Sequence, residues 1–482
     1  MRAVAEQGKW AEVLEYARDT GNIHIDSRSV RPGDIFVALP GSRVDGAEFV
    51  PQALENRAAF VVLGKYGPKV INDPRIVEVE SPSEALGELA RAAFRTHELK
   101  MKIVGVTGTN GKTSCTYLLE HLLASRGYRV GVIGTVQYRW PGTARTASMT
   151  TPDCLQTHAV LREMAESKVD AVLMEVSSHA LDQNRLAGID FDVAVFTNLT
   201  QDHLDYHRDM ESYFRAKKRL FSPTQGKPLK AVVNTDDAYG RRLAEGLKDP
   251  LTYAFNPEFN PALRGEITCI RPDGLEVKCF YKDKYWEVQS PLVGRYNASN
   301  LLGVVGAGLA LGLGYEDFSV LKDFAGIPGR LQKIPNDLGI NMFVDYAHTP
   351  DALKNCCRAL AQAEFTALVV VFGCGGNRDR EKRPLMGEVA CAYADFVVVT
   401  SDNPRDEEPR AIIEDILAGT GKCSRIRVEP DRREAIRLGA SICPEGGALL
   451  VAGKGHETYQ EVRGRRRDFD DARVLFEVGH AI

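Results

Sequence analysis

Thr107-Gly108-Thr109-Asn110-Gly111-Lys112-Thr113 follows the apolar run Ile103-Val104-Gly105-Val106 and precedes a helix-like stretch at 115–126. A buried strand, a glycine-bearing turn and a Lys-Thr pair opening a helix together cradle polyphosphate. Backbone N–H groups and the helix N-terminus face the phosphates, Lys112 reaches the terminal ones, and the Thr113 hydroxyl suits Mg²⁺. The strict form of this loop has a glycine five residues before Gly111, where this chain has Val106, so the loop is a variant.

A chain of 482 residues exceeds one hydrophobic core, and two to four domains are expected. With 44% hydrophobic and 26% charged residues it has an ordinary globular composition. A net charge of −4 leaves no electrostatic footprint for nucleic acid or an anionic membrane. The one basic run, 463–467, reads as a solvated turn. No apolar stretch approaches the ~20 residues of a membrane span, and the N-terminus lacks a signal-peptide core. The ten cysteines show no CxxC spacing, which fits free thiols in a reducing cytoplasm better than a disulfide framework or a zinc site. No interface signature stands out, so a monomer without membrane insertion is the expectation.

Three blocks separate along the chain. Up to residue 99, strand signals at 34–39, 59–63 and 76–79 precede a helix at 83–95. From 100 to 325, strands at 103–106, 171–175, 193–197 and 231–234 alternate with helices, which predicts a parallel sheet covered on both faces. After a Gly326-Ile327-Pro328-Gly329-Arg330 hinge, strands at 342–345, 367–372, 396–400 and 448–451 predict a second α/β unit. Apart from 231–234, the strands of these last two blocks run directly into polar or glycine-rich clusters. Ligands of open α/β sheets bind at such carboxyl ends, and two facing sheets would enclose a site between domains.

Several of these clusters carry chemistry. Glu175, at a strand end, suits either Mg²⁺ ligation or a helix N-terminal partner. His203, in Asn198-Leu199-Thr200-Gln201-Asp202-His203, suits a metal ligand and a solvated imidazole equally. Lys217 lies in an amphipathic segment, and its spacing alone reads as surface charge. Asp345, in Asp345-Tyr346-Ala347-His348, is placed to accept from ribose hydroxyls. Arg378, Asp402, Arg405 and Glu457 supply both charges for a zwitterion such as an amino acid, although each turn alone also reads as structural.

Together these residues resemble the Mur ligase family, ATP-dependent enzymes that build the peptide of bacterial cell-wall precursors, and the resemblance covers essentially the whole chain. It implies an α/β protein of three domains. Residues 1–99 form an N-terminal mixed α/β domain for the uridine nucleotide, 100–326 a central P-loop-type parallel-sheet ATPase domain, and 327–482 a C-terminal Rossmann-like α/β domain for the amino acid. The ATP contacts it implies are Gly108, Thr109, Asn110, Gly111, Lys112, Thr113, Ser114, Asn297, Asn300, Arg330 and Asp345. Ile25, Ser27, Ser42, Arg43 and Val44 match uridine-nucleotide positions. Thr150, Thr151, Ser177, Gln183 and Arg185 match contacts to the muramoyl dipeptide. Met149 replaces an asparagine that the family has before Thr150. Arg378, Asp402, Asn403, Pro404, Arg405, Gly453 and Glu457 match the amino-acid site.

Lys217 matches the family's N-carboxylated lysine, which with Thr113, Glu175 and His203 would hold Mg²⁺. Lys112, Glu175, His203 and Lys217 are thus the expected catalytic set, with ATP, Mg²⁺ and a CO₂-derived carbamate as cofactors. The Asp402-Asn403-Pro404-Arg405 form resembles members that add meso-2,6-diaminopimelate to a UDP-MurNAc-dipeptide; lysine-adding members usually differ there. The expected chemistry is phosphorylation of the D-glutamyl side-chain carboxylate, then attack by the amine on the acyl phosphate. The same ligase adding L-lysine, another Mur-type or folylpolyglutamate-type ligase, a P-loop GTPase and a non-catalytic nucleotide-binding scaffold are the alternatives.

Overall fold

The computed structural model describes residues 2–20, 22–41, 44–65, 72–222, 229–421 and 423–480. The chain divides into two compact units, one of Met1–Tyr253 with Gly306–Leu313, the other of Ala254–Val305 with Gly314–Ile482.

The first unit opens with a four-stranded parallel sheet in the order Ile23–His24, Ile35–Val37, Phe60–Gly64, Ile76–Val79. Successive side chains of a strand point to opposite faces, so an all-apolar Ile35-Phe36-Val37 demands cover on both. Ile35 and Val37 pack with Val13, Leu86 and Leu89 from the helices Arg2–Thr20 and Pro82–Ala93, while Phe36 joins Val50 and Leu54 on the other side. Ser81 caps the second of these helices, accepting from Glu84 N–H at 3.4 Å, and Pro82 pre-sets its first turn.

A larger sheet follows. Its parallel strands run Leu251–Ala254, Lys230–Asn234, Val193–Phe196, Lys102–Thr107, Ala171–Glu175 and Val130–Ile133 in spatial order. Two antiparallel edge strands, Gln137–Trp140 and Thr143–Thr146, complete that side. The central strands are apolar up to their polar ends because helices cover both faces.

In the second unit a six-stranded sheet is ordered Gln332–Ile334, Asn341–Asp345, Ala448–Ala452, Leu368–Phe372, Phe396–Val399, Ile426–Val428, parallel except for the first strand. Val369 and Val371 enter one core with Ile436 and Leu475, while Val370 and Phe372 enter the other with Met386 and Ile416. Each such fully buried side chain contributes on the order of 1.5–3 kcal/mol.

Two features depart from the sequence-based expectation. Leu263–Arg271, Gly274–Tyr281 and Lys284–Ser290 form an antiparallel meander where a purely parallel block was predicted. Charged residues alternate with apolar ones along these strands, as suits a sheet with one wet face, and no apolar run announces them. The basic run at 463–467 is a turn only at Arg463-Gly464, both with positive φ; the arginines beyond it belong to the strand Arg465–Asp468, paired with Tyr459–Val462.

Candidate functional site

The strand Lys102–Thr107 ends in the loop that opens the helix Lys112–Ser125. Val106 is a buried strand residue, so the turn begins only at Gly108, which explains the shortened loop. Gly108 has φ +154° and Gly111 φ +90°, and a Cβ on Gly108 would overlap the Thr197 hydroxyl, so a side chain is excluded there.

The loop is held from outside. Asn198 Oδ1 accepts from Asn110 N–H at 2.9 Å, Asn198 O from Thr109 N–H at 2.9 Å, and Thr197 Oγ1 donates to Asn110 O at 2.6 Å. Lys112 Nζ folds over the loop and donates to Gly108 O at 2.8 Å and Thr109 O at 2.9 Å. The helix N-terminus adds its partial positive charge. Ser114, in the first turn of that helix, is buried.

Glu175 is 1% exposed at the end of its strand. Its Oε2 accepts from Thr113 Oγ1 at 2.9 Å and Thr135 Oγ1 at 2.9 Å, and its Oε1 from Thr135 N–H at 3.0 Å. Thr135 Oγ1 also meets Thr150 Oγ1 at 3.1 Å. Thr151 Oγ1 donates to the Glu175 carbonyl at 2.8 Å and accepts from Ser177 N–H at 3.1 Å, tying Thr151 and Ser177 to the same strand end. Arg185 donates to Gln183 Oε1 at 2.9 and 2.6 Å, to Thr151 O at 3.1 Å and to Met149 Sδ at 3.1 Å. Met149, which replaces the asparagine of the family pattern, presents a thioether acceptor to Arg185.

Lys217 corrects its sequence reading. Asp209 caps the helix Met210–Lys218, and the resulting register turns Tyr213, Phe214, Ala216 and Lys217 inward. Lys217 is 1% exposed and its Nζ donates to Gly108 O at 2.7 Å. Burial, and then the Lys112 charge, hold its pKa well below the ordinary lysine value.

Tyr213 is the common neighbour. Its hydroxyl meets Thr109 Oγ1 at 3.2 Å, its ring lies 4.7 Å from Lys217 Nζ, and the His203 ring is 6.1 Å away. His203, with φ +53° at the start of the helix Leu204–His207, is exposed and packs against His179 at 4.9 Å.

Among the described residues, no group of three or more His, Cys, Asp or Glu side chains is arranged to hold a metal ion. What the loop offers is hard oxygen, the Glu175 carboxylate beside the Thr113 hydroxyl. That fits Mg²⁺, which keeps waters and phosphate oxygens in its shell and takes only one or two protein ligands.

At the N-terminal sheet, Ile25 and Val44 are exposed apolar side chains, and buried Ser27 donates to Gln52 Oε1 at 2.6 Å. Ser42 and Arg43 lie outside the described residues. The two sheets of this unit are joined by Arg91 to Asp190 at 2.7 Å and by His158, which bridges Thr96 Oγ1 at 2.7 Å and Ala187 O at 2.9 Å.

In the second unit, buried Asp345 takes Leu331 N–H at 2.6 Å and Ala347 N–H at 2.8 Å, one on each oxygen, leaving lone pairs for a hydroxyl. Burial pushes its pKa up, opposed by Arg330. Arg330 lies over the Tyr346 ring at 5.2 Å. Asn297 and Asn300 are buried in the first turns of the helix Arg295–Leu311; Asn300 Nδ2 donates to Asn297 Oδ1 at 3.2 Å, and Asn297 Nδ2 to Val293 O at 2.9 Å.

The ends of Phe396–Val399 and Ala448–Ala452 carry Asp402, Asn403, Pro404, Arg405, Gly453 and Glu457. Gly453 has φ +120°, and a Cβ there would meet Asp402 Oδ2. Asn403 Nδ2 donates to Glu457 Oε2 at 2.9 Å. Arg405, φ +52°, donates through Nη1 to Gly376 O at 2.8 Å and through N–H to Glu461 O at 3.0 Å. Arg378 is exposed on the neighbouring glycine loop.

The sequence reading missed Thr135, Tyr213, Lys454 and the Arg432–Asp471 pair. Gly134-Thr135 ends the strand Val130–Ile133, so the strand-end rule would have found it had that strand been assigned. Arg432 is fully buried and donates to Asp471 at 2.8 and 2.6 Å, Ser401 O at 3.3 Å and Ala452 O at 3.0 Å. Its surroundings in sequence, Asp431-Arg432-Arg433-Glu434, read as a solvated helix start and give no signal.

Three family models match: the Mur ligase family catalytic domain over residues 20–94, the Mur ligase middle domain over 106–308, and the Mur ligase glutamate ligase domain over 329–455. A UDP-N-acetylmuramoyl-L-alanyl-D-glutamate–2,6-diaminopimelate ligase of Lawsonia intracellularis is 48% identical over 95% of both chains. The protein of that description in Gloeobacter violaceus is 44% identical over 94% of this chain and 92% of its own. A solved structure of such a ligase superposes with a TM-score of 0.71 at 34% identity, covering 95% of this chain and 94% of that one.

Proposed function

The chain belongs to the Mur ligase family, and on that footing we propose that it joins meso-2,6-diaminopimelate to UDP-N-acetylmuramoyl-L-alanyl-D-glutamate, converting ATP to ADP and phosphate. One observation carries this reading: likeness to a relative described as a UDP-N-acetylmuramoyl-L-alanyl-D-glutamate–2,6-diaminopimelate ligase extends over 95% of the chain, and so takes in both the phosphate loop and the Asp402–Arg405 segment.

A carboxylate is a poor acyl donor. Transfer of the γ-phosphoryl group onto the D-glutamyl side-chain carboxylate makes an acyl phosphate; the amine adds to its carbonyl, loses a proton, and phosphate leaves with the bonding pair. Lys112 exchanges its loop carbonyls for the terminal phosphate oxygens and offsets their charge. Glu175 and Thr113, with His203 and a carbamate on Lys217, would hold Mg²⁺, which would supply further charge neutralisation at the phosphoryl group. The buried Lys217 supports that carbamate, because an amine kept neutral can attack CO₂, shed a proton and become an anion.

Ile25, Ser27 and Val44, with Ser42 and Arg43, serve the uridine nucleotide in this proposal. Thr150, Thr151, Ser177, Gln183 and Arg185 serve the muramoyl dipeptide. Asn297, Asn300, Arg330 and Asp345 serve ATP. Arg378 and Arg405 take carboxylates of the incoming amino acid, while Asp402 and Glu457 take its ammonium groups. We place the domain boundaries at 99/100 and 326/327 and the enzyme, as a monomer, in the cytoplasm, where its ten free thiols fit a reducing compartment.

Dipeptide substrate labelled with oxygen-18 in the glutamyl side-chain carboxylate tests the chemistry. One labelled oxygen should appear in the released phosphate during amide formation. Unlabelled phosphate alongside product would refute acyl phosphate formation.

A further inference from the structure

Resting on the reading that the second unit binds the diamino acid, we infer that Lys454 is a positioning residue that sets the pocket's preference for a dicarboxylic over a monocarboxylic amino acid. Lys454 follows Gly453 at the end of the strand Ala448–Ala452, and its side chain is 0% exposed. Its Nζ donates to Asn403 Oδ1 at 3.0 Å and lies 3.5 Å from Glu457 Oε2. Glu461 N–H donates to the same Asn403 oxygen at 2.9 Å.

These two donors fix the Asn403 amide. Flipping it would set the NH₂ group against an ammonium and an N–H. Nδ2 is therefore locked toward Glu457 Oε2, at 2.9 Å. One carboxylate oxygen of Glu457 is thus held by protein, and Oε1 takes none of these bonds. Asn403 bridges Lys454 and Glu457, with its polar atoms engaged inside the protein.

Charge supplies the selectivity. Asp402, Glu457 and Glu461 are the anionic groups around this cluster; Lys454, Arg405 and Arg466 are the cations, the last two pairing with Glu461, while buried Arg432 is paired to Asp471. Burial pulls the Lys454 pKa down, and Asp402 and Glu457 pull it up. Deleting this ammonium makes the pocket more negative by one charge in a region of low dielectric, where such a change is felt strongly. Diaminopimelate carries two carboxylates and two ammonium groups, whereas L-lysine carries one carboxylate and two. A more negative pocket repels the second carboxylate and tolerates the extra net positive charge.

The test uses the full chain and its Lys454→Met variant, with equimolar meso-diaminopimelate and L-lysine competing for the dipeptide substrate and ATP. The ratio of the two tripeptide products, weighed by mass spectrometry, does not depend on the fraction of enzyme folded. We expect the variant's diaminopimelate-to-lysine ratio to fall tenfold or more, with KM for diaminopimelate raised tenfold and KM for ATP within twofold. A wild-type ratio in the variant, with only a lower rate, would overturn the inference. Asn403→Asp keeps Lys454 but sets a carboxylate against Glu457; should Lys454→Met fail to fold, an unchanged ratio in Asn403→Asp overturns it equally. Wild-type enzyme that makes neither tripeptide would instead overturn the underlying ligase reading, and this inference with it.

Discussion

Lys217 Nζ donates to the Gly108 carbonyl oxygen at 2.7 Å, burying a lysine of one helix against the loop that opens another. In CO₂-free buffer, ligation should fall at least tenfold and return when bicarbonate is added, while Lys217→Met stays inactive in both. Stability provides a second readout. The native chain disfavours the ammonium, so at pH values beneath the ordinary lysine value of 10.5 the unfolded chain binds more protons, and wild-type stability rises with pH through that window. Lys217→Met lacks this dependence. Without CO₂ it should be the more stable protein at neutral pH, with the gap closing toward pH 10.5.

Glu175→Gln keeps the shape of the strand end but sets an amide where three donors converge. Turnover should drop on the order of 10²-fold, because charge stabilisation at the transferring phosphoryl is lost. Circular dichroism should be unchanged. Wild-type turnover in this variant would remove Glu175 from the chemistry.

His158 contributes to the acid sensitivity of the first unit. Burial lowers its pKa from 6.5 to about 4. Between those values the unfolded chain carries the extra proton, so stability rises with pH across the window and is lost as pH falls. The full difference corresponds to roughly 3 kcal/mol. Urea titrations at pH 4.5 and 7 should show a smaller pH dependence for His158→Gln than for wild type.

Arg432 and Asp471 are both fully buried, 2.6 Å apart. Arg432→Met leaves an unpaired buried carboxylate and should cost about 3–5 kcal/mol of stability, whereas the Arg432→Met, Asp471→Leu double variant should recover most of it. Both variants lose the donors to Ser401 O and Ala452 O, so KM for the amino acid should rise in each. Additive losses in a double-mutant cycle would show that the two residues do not act as a pair.

How legible each part was follows from its surroundings. The strands at 171–175 and 76–79 match Ala171–Glu175 and Ile76–Val79, the first because burial on both faces leaves an unbroken apolar run. The meander from Leu263 to Ser290 was invisible for the opposite reason, its half-wet strands alternating Glu, Lys and Arg with apolar residues. The phosphate loop is local, so its residues could be named from one stretch. Lys217 could not be separated from Lys218 by spacing, since only the register set by Asp209 turns the first inward. Arg432 needs Asp471, and Lys454 needs Asn403; pairings so distant in sequence arise only when the sheet brings strand ends together.

The most direct measurement supplies UDP-N-acetylmuramoyl-L-alanyl-D-glutamate, ATP and Mg²⁺ to the purified chain, with meso-diaminopimelate and L-lysine in separate reactions, and weighs the products. A tripeptide formed with diaminopimelate far faster than with lysine, accompanied by one ADP per amide bond, is the predicted result. Tripeptide formed with lysine alone, or ADP released without any amide product, would contradict the proposed function.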